Sequence, residues 1–297
     1  MKIWQLLICI LLVTLNSLSF ADNSADDNTG RDDTQTYHIY DEVELVSKIK
    51  FQYSAKPKTF VKSVYPLLVS PHDDAAVKSF NQMVSDLIQQ SVVIFRQQAA
   101  KNAENLQVLP KSVNKNDMYI DYNTSFMIAD ENPILSVRFT LQTYLAGMAH
   151  PYHQHQVINV NLSTGESINF EDLFIPTSNY LEILSNYSRQ ILSKRLKDNA
   201  LINEGTKPIN DNFKIWNVTS NGLVITFEEA TVAPYVYGAQ TVLIPYSILK
   251  SVINPDIPFF DCVKNSARCT HSHLLTGGFI DQAVNDHPAK LTVAAIS

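Results

Sequence analysis

Between Tyr37 and Tyr53 apolar and polar side chains alternate, with Ile49, Phe51 and Tyr53 set against Lys50 and Gln52. A period of two puts every second side chain on one face of a strand, so this segment is predicted to open a sheet. Past Tyr65-Pro66-Leu67-Leu68 the period changes. From Asp73 to about Ala103, the positions Val77, Phe80, Val84, Leu87, Ile88, Ser91, Val92 and Phe95 recur at helical spacing with polar residues between them, which predicts a long amphipathic helix packed on that sheet. Ser70 or Asp73 can cap its start, and Asp73 and Asp74 suit the positive end of its dipole. Strand-like runs return at Met118 to Ala129, Ile134 to Leu145 and Gln156 to Leu162, the last turning at Ser163-Thr164-Gly165 into Ser167 to Phe170 as a meander. A second helix is expected over about Ser178 to Lys197, with Leu181, Leu184, Tyr187, Ile191 and Leu192 on one side and basic residues at its end. Asn210 to Val218 and Leu223 to Glu228 flank the turn Asn221-Gly222 as a hairpin. Gln240 to Ile244 adds an edge strand, and Pro245 to Val252 a short helix opened by its proline.

This order of strands, helix, strands, helix and strands predicts an α+β fold, with largely antiparallel sheet and two main packed helices. Two closely joined subdomains are expected, 36–131 and 132–254, followed by a peripheral tail over 255–297. Residues 22–35 have almost no apolar content and read as a flexible leader.

The start of the chain changes the picture of where it acts. Lys2 precedes an apolar run from Leu6 to Val13, and Ser19-Phe20-Ala21 follows with small residues at the positions a signal peptidase reads. Cleavage is expected after Ala21. The run falls short of the roughly 20 apolar residues of a membrane span, and no cysteine follows the cleavage site to carry a lipid. The mature chain is therefore expected to be soluble and periplasmic or secreted, with no stable membrane anchor. The full sequence carries a net charge of -6, about -7 once Lys2 leaves with the signal peptide; this is mild, and the lysines and arginines are scattered. Nucleic acid, which calls for a basic stripe, is an unsuitable partner, whereas a mildly acidic surface suits a cationic protein.

Cys9 leaves with the signal peptide. Cys262 and Cys269 then remain, with six residues between them in a polar loop. An exported pair so placed is read as a disulfide, which removes roughly 2.5 kcal/mol of unfolded-chain entropy. Two free thiols, or a zinc site with His271 and His273, are the alternatives, though the spacing fits no common finger pattern.

Catalytic chemistry finds little support. There is no Gly-x-Ser-x-Gly elbow and no His-Glu-x-x-His helix, and the chain holds only 8 glycines, none in a phosphate-cradling loop. The reading is a non-enzyme without cofactor. Two segments stand out as candidate binding surfaces instead. In His150-Pro151-Tyr152-His153-Gln154-His155, His153 and His155 on a strand would share a face and could hold a metal. No acidic or cysteine ligand is close in sequence, so a turn presenting His150, Pro151, Tyr152 and His153 to a partner is preferred. The second segment is Pro234-Tyr235-Val236-Tyr237-Gly238, where two tyrosines beside a proline make good interface anchors, because they bury a large area at low entropy cost. Both tyrosines could also pack into the core. The acid pairs Glu228-Glu229 and Glu171-Asp172 are adjacent, and adjacent acids on a strand face opposite ways.

An ordered set of short motifs runs through the chain: Val64-Tyr65-Pro66 and Phe80-Asn81, then Tyr144-Leu145-Ala146-Gly147-Met148-Ala149-His150-Pro151, Asn159 to Leu162, Thr164-Gly165, Asp172-Leu173-Phe174, Ala233 to Gly238 and Ile244-Pro245-Tyr246. In this the chain resembles the extracytoplasmic part of the RsiV anti-sigma factors, and the non-catalytic region ahead of the deacetylase domain in PdaC-type proteins. It departs from both. It has neither the anti-sigma segment and membrane helix of the first nor the catalytic block of the second, since His72-Asp73-Asp74 lacks a downstream His-x-x-x-His pair. The resemblance implies a ligand-binding module of the bacterial cell envelope, with lysozyme or a similar cell-wall hydrolase as its partner, or else peptidoglycan or another envelope glycan.

Overall fold

In the computed structural model, residues 36–105, 115–129, 131–196 and 200–271 are described. The expected signal peptide and leader therefore lie outside the described residues. The first strands, β1 (Thr36–Tyr40), β2 (Val43–Ala55) and β3 (Lys58–Val69), precede the long helix α1 (Ala75–Asn105). After it come β4 (Asp117–Ala129), β5 (Asn132–Tyr144), β6 (Tyr152–Asn161) and the two-residue β7 (Glu166–Ser167). The helices α2 (Tyr180–Leu196) and α3 (Ala200–Gly205) lead into β8 (Trp216–Thr219), β9 (Gly222–Phe227) and β10 (Gln240–Pro245). Two short helices, α4 (Tyr246–Leu249) and α5 (Phe260–Lys264), and β11 (Cys269–His271) follow.

The first seven strands lie side by side in sequence order, with β11 added along β4, and β8 to β10 form a second sheet of three strands. The fold is α+β and mostly antiparallel, as expected. The one parallel pair among the described residues is β3 with β4, joined over Phe60 to Ser63, and α1 is the crossover that a parallel pair requires. Because side chains alternate, each face of the large sheet has its own core. On one face Val61, Ile120, Val137, Phe139 and Leu141 pack with Phe80, Val84, Val92 and Phe95 of α1. On the other, Met127 and Ile134 pack with Trp216, Ile225 and Val242 of the small sheet and with Leu184 and Leu192 of α2. The boundary placed near 132 falls at the β4–β5 turn, and these strands pair along their whole length from Asp117↔Tyr144 to Ala129↔Asn132.

Several expectations need correction. The alternating run was expected to end near Tyr53, but β3 forms a second long strand that contains Pro66. A proline is tolerated where its missing N–H is not called on, and the pairing of β3 with β4 stops at Ser63. Beyond that point Asn81 of α1 stands in for a neighbouring strand. Its Oδ1 accepts from Leu68 N at 2.8 Å, and its Nδ2 donates to Leu68 O at 2.8 Å. At the start of α1 the cap is Asp74, whose Oδ1 accepts from Ala76 N and Val77 N at 2.8 and 3.1 Å. Ser70 instead accepts from His72 N, and Asp73 pairs with Lys78. Asn210 to Val218 is a strand only from Trp216, because Asn210–Asn212 winds into a 3-10 turn.

Residues 255–271, read as the start of a peripheral tail, join the second core instead. Ile257, Phe259, Cys262 and Val263 are buried there, and β11 pairs with β4 over Met127 to Ala129. The Cα atoms of Cys262 and Cys269 lie 5.4 Å apart, a separation that a disulfide spans.

Candidate functional site

The two segments singled out in the sequence meet at one end of the molecule. The turn between β5 and β6 carries His150 and Pro151, and β6 opens with Tyr152 and His153. The connection between β9 and β10 carries Pro234 and a 3-10 turn over Tyr235–Tyr237. They are joined at the Pro151 carbonyl, which accepts from Tyr235 Oη at 2.6 Å and from His150 Nδ1 at 3.0 Å. One carbonyl oxygen has lone pairs for both bonds. The His150 and Tyr235 rings lie against each other with centroids 4.5 Å apart and planes at 32°.

Each segment is held from behind. Ala146 is gripped on both sides of its peptide units, its N donating to Asn116 Oδ1 at 3.0 Å and its O accepting from Asn102 Nδ2 at 2.8 Å. Gly147 takes φ 85° in this turn, a region a side chain would disfavour. Tyr152 Oη donates to Gln98 Oε1 of α1 at 3.0 Å. On the other segment Glu229 reaches back to His153, with Nδ1 to Oε1 at 2.7 Å. The carboxylate can only accept, which places the imidazole proton on Nδ1. Glu228 Oε1 accepts from the backbone N of His155 at 3.0 Å. The two acids were expected to face opposite ways, but β9 ends at Phe227, so strand alternation does not govern them and both turn toward β6.

The chemistry under this end is polar and half-buried. Arg138 Nη1 donates to Thr226 Oγ1 at 3.0 Å across the two sheets, and burial pushes its guanidinium down to about 10. His155 is pushed down to about 4, by burial first and then by the charges of Arg138 and His153. Partial desolvation, followed by the nearby Glu229 carboxylate, raises the Tyr235 hydroxyl above its ordinary value. A cavity of about 230 Å³, lined by Thr226, Glu228 and Thr231 among others, lies beside these residues. That is below the usual range of small-molecule sites. Among the described residues, no three His, Cys, Asp or Glu side chains gather where a metal could sit.

What this end presents outward is apolar surface on a fixed base. Val236 is 86% and Tyr237 57% exposed, and both stand on the short turn that Tyr235 ties down. Such an arrangement can hold a macromolecule's surface rather than enclose a substrate. The supporting residues Asn102, Asn116, Gln98, Glu228, Glu229 and Arg138 were not singled out as site residues in the sequence, where their partners lie 30 to 88 positions away.

Residues 171–247 match the family described as protein of unknown function, DUF3298. Over that stretch the chain is similar to the DUF3298 family. The matched stretch covers Asp172-Leu173-Phe174, α2, α3, all three strands of the small sheet and the Tyr235 turn, while the His150 segment precedes it. The chain is 24% identical over 274 residues to the peptidoglycan-N-acetylmuramic acid deacetylase PdaC of Bacillus subtilis (strain 168), with 89% of this chain aligned. It spans about half the length of that relative, 52%. The crystal structure of a DUF3298 member from Bacteroides fragilis NCTC 9343 superposes with a TM-score of 0.51 and 17% identity, over 74% of this chain and 96% of that one. For a DUF3298 protein of Pseudomonas aeruginosa PAO1 the TM-score is 0.42, with 14% identity over 72% and 94% of the two chains. The resemblance to the region that accompanies a PdaC-type deacetylase therefore holds, and the Bacteroides fragilis structure shares the fold.

Proposed function

We propose that this chain is an exported, non-catalytic binding protein of the bacterial cell envelope. Its partner is lysozyme or a similar cell-wall hydrolase, held by the end that joins the His150 turn to the Tyr235 turn. The observation that supports this is the convergence itself. Two segments 84 residues apart are tied through the Pro151 carbonyl into one platform from which Val236 and Tyr237 project. Fixed aromatic and apolar side chains above a desolvated polar base are the makings of a binding hot spot. The net charge of -6 adds long-range attraction for a cationic hydrolase. A surface of this kind would inhibit by covering the enzyme's cleft.

The test compares the chain with its Tyr237→Ala and Val236→Ser variants for capture on immobilised lysozyme. Both side chains are exposed, so the fold should survive, and loss of a hot-spot side chain should weaken binding by about tenfold or more. Full retention by both variants would remove this end of the molecule from the interface. Sedimentation of the chain with insoluble peptidoglycan, with and without lysozyme in solution, separates recognition of the hydrolase from recognition of its substrate.

A further inference from the structure

The face of the large sheet opposite α1 is covered only in part. The small sheet packs on it through Arg138 to Thr226 and through Asn159 Nδ2 to Trp216 O at 3.1 Å. Toward the β2–β3 hairpin the same face carries bare rings. Tyr53 is 74%, Phe51 54% and Tyr119 41% exposed. Strand pairing explains why they meet. Tyr53 is opposite Phe60, Phe51 opposite Lys62, and Lys62 opposite Tyr119 on the parallel strand, so all five side chains share one face. Phe60 is the hub. Its ring centroid lies 5.1 Å from Tyr53, 6.2 Å from Phe51 and 6.0 Å from Tyr119. Beside the rings runs an open groove of about 640 Å³, lined by Tyr53, Lys58, Phe60, Lys115, Asp117 and Tyr119 among others.

Charge sets this region apart from the rest of an acidic chain. From Val46 to Lys62 there are five lysines and no acid. Lysines on an edge strand are also the ordinary guard against unwanted pairing, and Lys48 and Lys50 are accounted for in that way. The rings are not. Exposed aromatic side chains on the same hairpin invite association, which is the opposite of protection.

We propose that the Tyr53–Phe60–Tyr119 surface is a second binding site, distinct from the His150–Tyr235 end, and that it takes a β-linked hexosamine chain bearing carboxylates, the chemistry of a peptidoglycan strand. Sugar rings present their axial C–H groups to aromatic faces, and the rings gathered around Phe60, with planes at 21°, 42° and 72° to it for Phe51, Tyr53 and Tyr119, offer such faces on a rigid sheet. The lysines answer the carboxylates. Asp117, beside Lys58 and Lys115 in the groove, offers sugar hydroxyls an acceptor.

The test is binding of soluble peptidoglycan glycan fragments to the purified chain, with an N-acetylglucosamine hexamer, polyglutamate and oligothymidylate as competitors. Glycan fragments should bind, and Tyr53→Ala with Tyr119→Ala should weaken them by about tenfold or more. Lys58→Gln with Lys115→Gln should weaken them and flatten the salt dependence. The neutral hexamer should bind about tenfold more weakly, and polyglutamate and oligothymidylate should not compete. Circular dichroism on each variant confirms that these exposed substitutions leave the fold in place. Absent binding, an unaffected tyrosine double variant, equal binding of the neutral hexamer, or effective competition by either polyanion would each overturn the proposal. Tyr237→Ala should leave glycan binding unchanged, so failure here is distinguishable from failure of the hydrolase reading.

Discussion

Acid should weaken this fold through His155. The imidazole is carried on β6, where burial first and then the charges of Arg138 and His153 hold it at about 4 in the folded state, against 6.5 for the free side chain. The folded value is the lower one, so the unfolded chain takes up the proton first. Stability from this group is full above the unfolded value and falls as pH drops through 6.5 toward 4. Linkage gives a loss of about 2 kcal/mol between pH 8 and 5 and about 3 kcal/mol by pH 4. His155→Gln keeps much of the side-chain volume and cannot titrate. Urea unfolding of both proteins at intervals across that range isolates the term, because every other titrating group is common to the two. The stability difference should shift by about 2 kcal/mol in favour of the variant by pH 5. Parallel curves would refute the assignment of a neutral, desolvated imidazole at this position.

Three other outcomes follow from the packing. Asn81→Ala strips the Leu68 peptide units of both partners; each unsatisfied group costs about 1–3 kcal/mol, so the midpoint of chemical unfolding should fall, while Asn81→Asp, which keeps the acceptor alone, should recover part of the loss. Gly165→Ala places a Cβ 2.9 Å from Ala76 Cα at φ +74°, and thermal unfolding should report about 1–3 kcal/mol of lost stability. The Cys262 and Cys269 thiols should resist alkylation in the unfolded chain until reductant is added, and reduction should cost about 2.5 kcal/mol.

The sequence made the periodic elements legible and left their neighbours hidden. Alternation and helical spacing placed α1, α2 and most strands, because burial against a sheet imposes those periods. β3 escaped, since Pro66 reads as a break in a strand; it is tolerated because pairing with β4 stops at Ser63, and beyond that point the Asn81 side chain satisfies Leu68 from a helix 13 positions on. The 255–271 segment escaped because its few apolar residues are spaced by loop turns rather than by a regular period. The motifs that carried the family resemblance prove largely structural. Asn159 Oδ1 accepts from Ser136 Oγ at 2.5 Å, and Asn159 Nδ2 bonds the backbone of the small sheet. Phe174 stacks on Tyr180 at 4.2 Å, and Tyr246 Oη donates to Thr219 O at 2.7 Å from within the core. Both halves of the candidate site could be named from residue types. That they touch could not, since the contact depends on how the small sheet lies across the large one.

The central claim is that a cell-wall hydrolase docks on the His150–Tyr235 end. Calorimetric titration of the chain into purified lysozymes, with lysis assayed on the same samples, tests it most directly. The account predicts one-to-one binding of at least one lysozyme with matching loss of lysis, both weakened in Tyr237→Ala; absence of heat with every lysozyme, or binding that leaves lysis and the variant untouched, would contradict it.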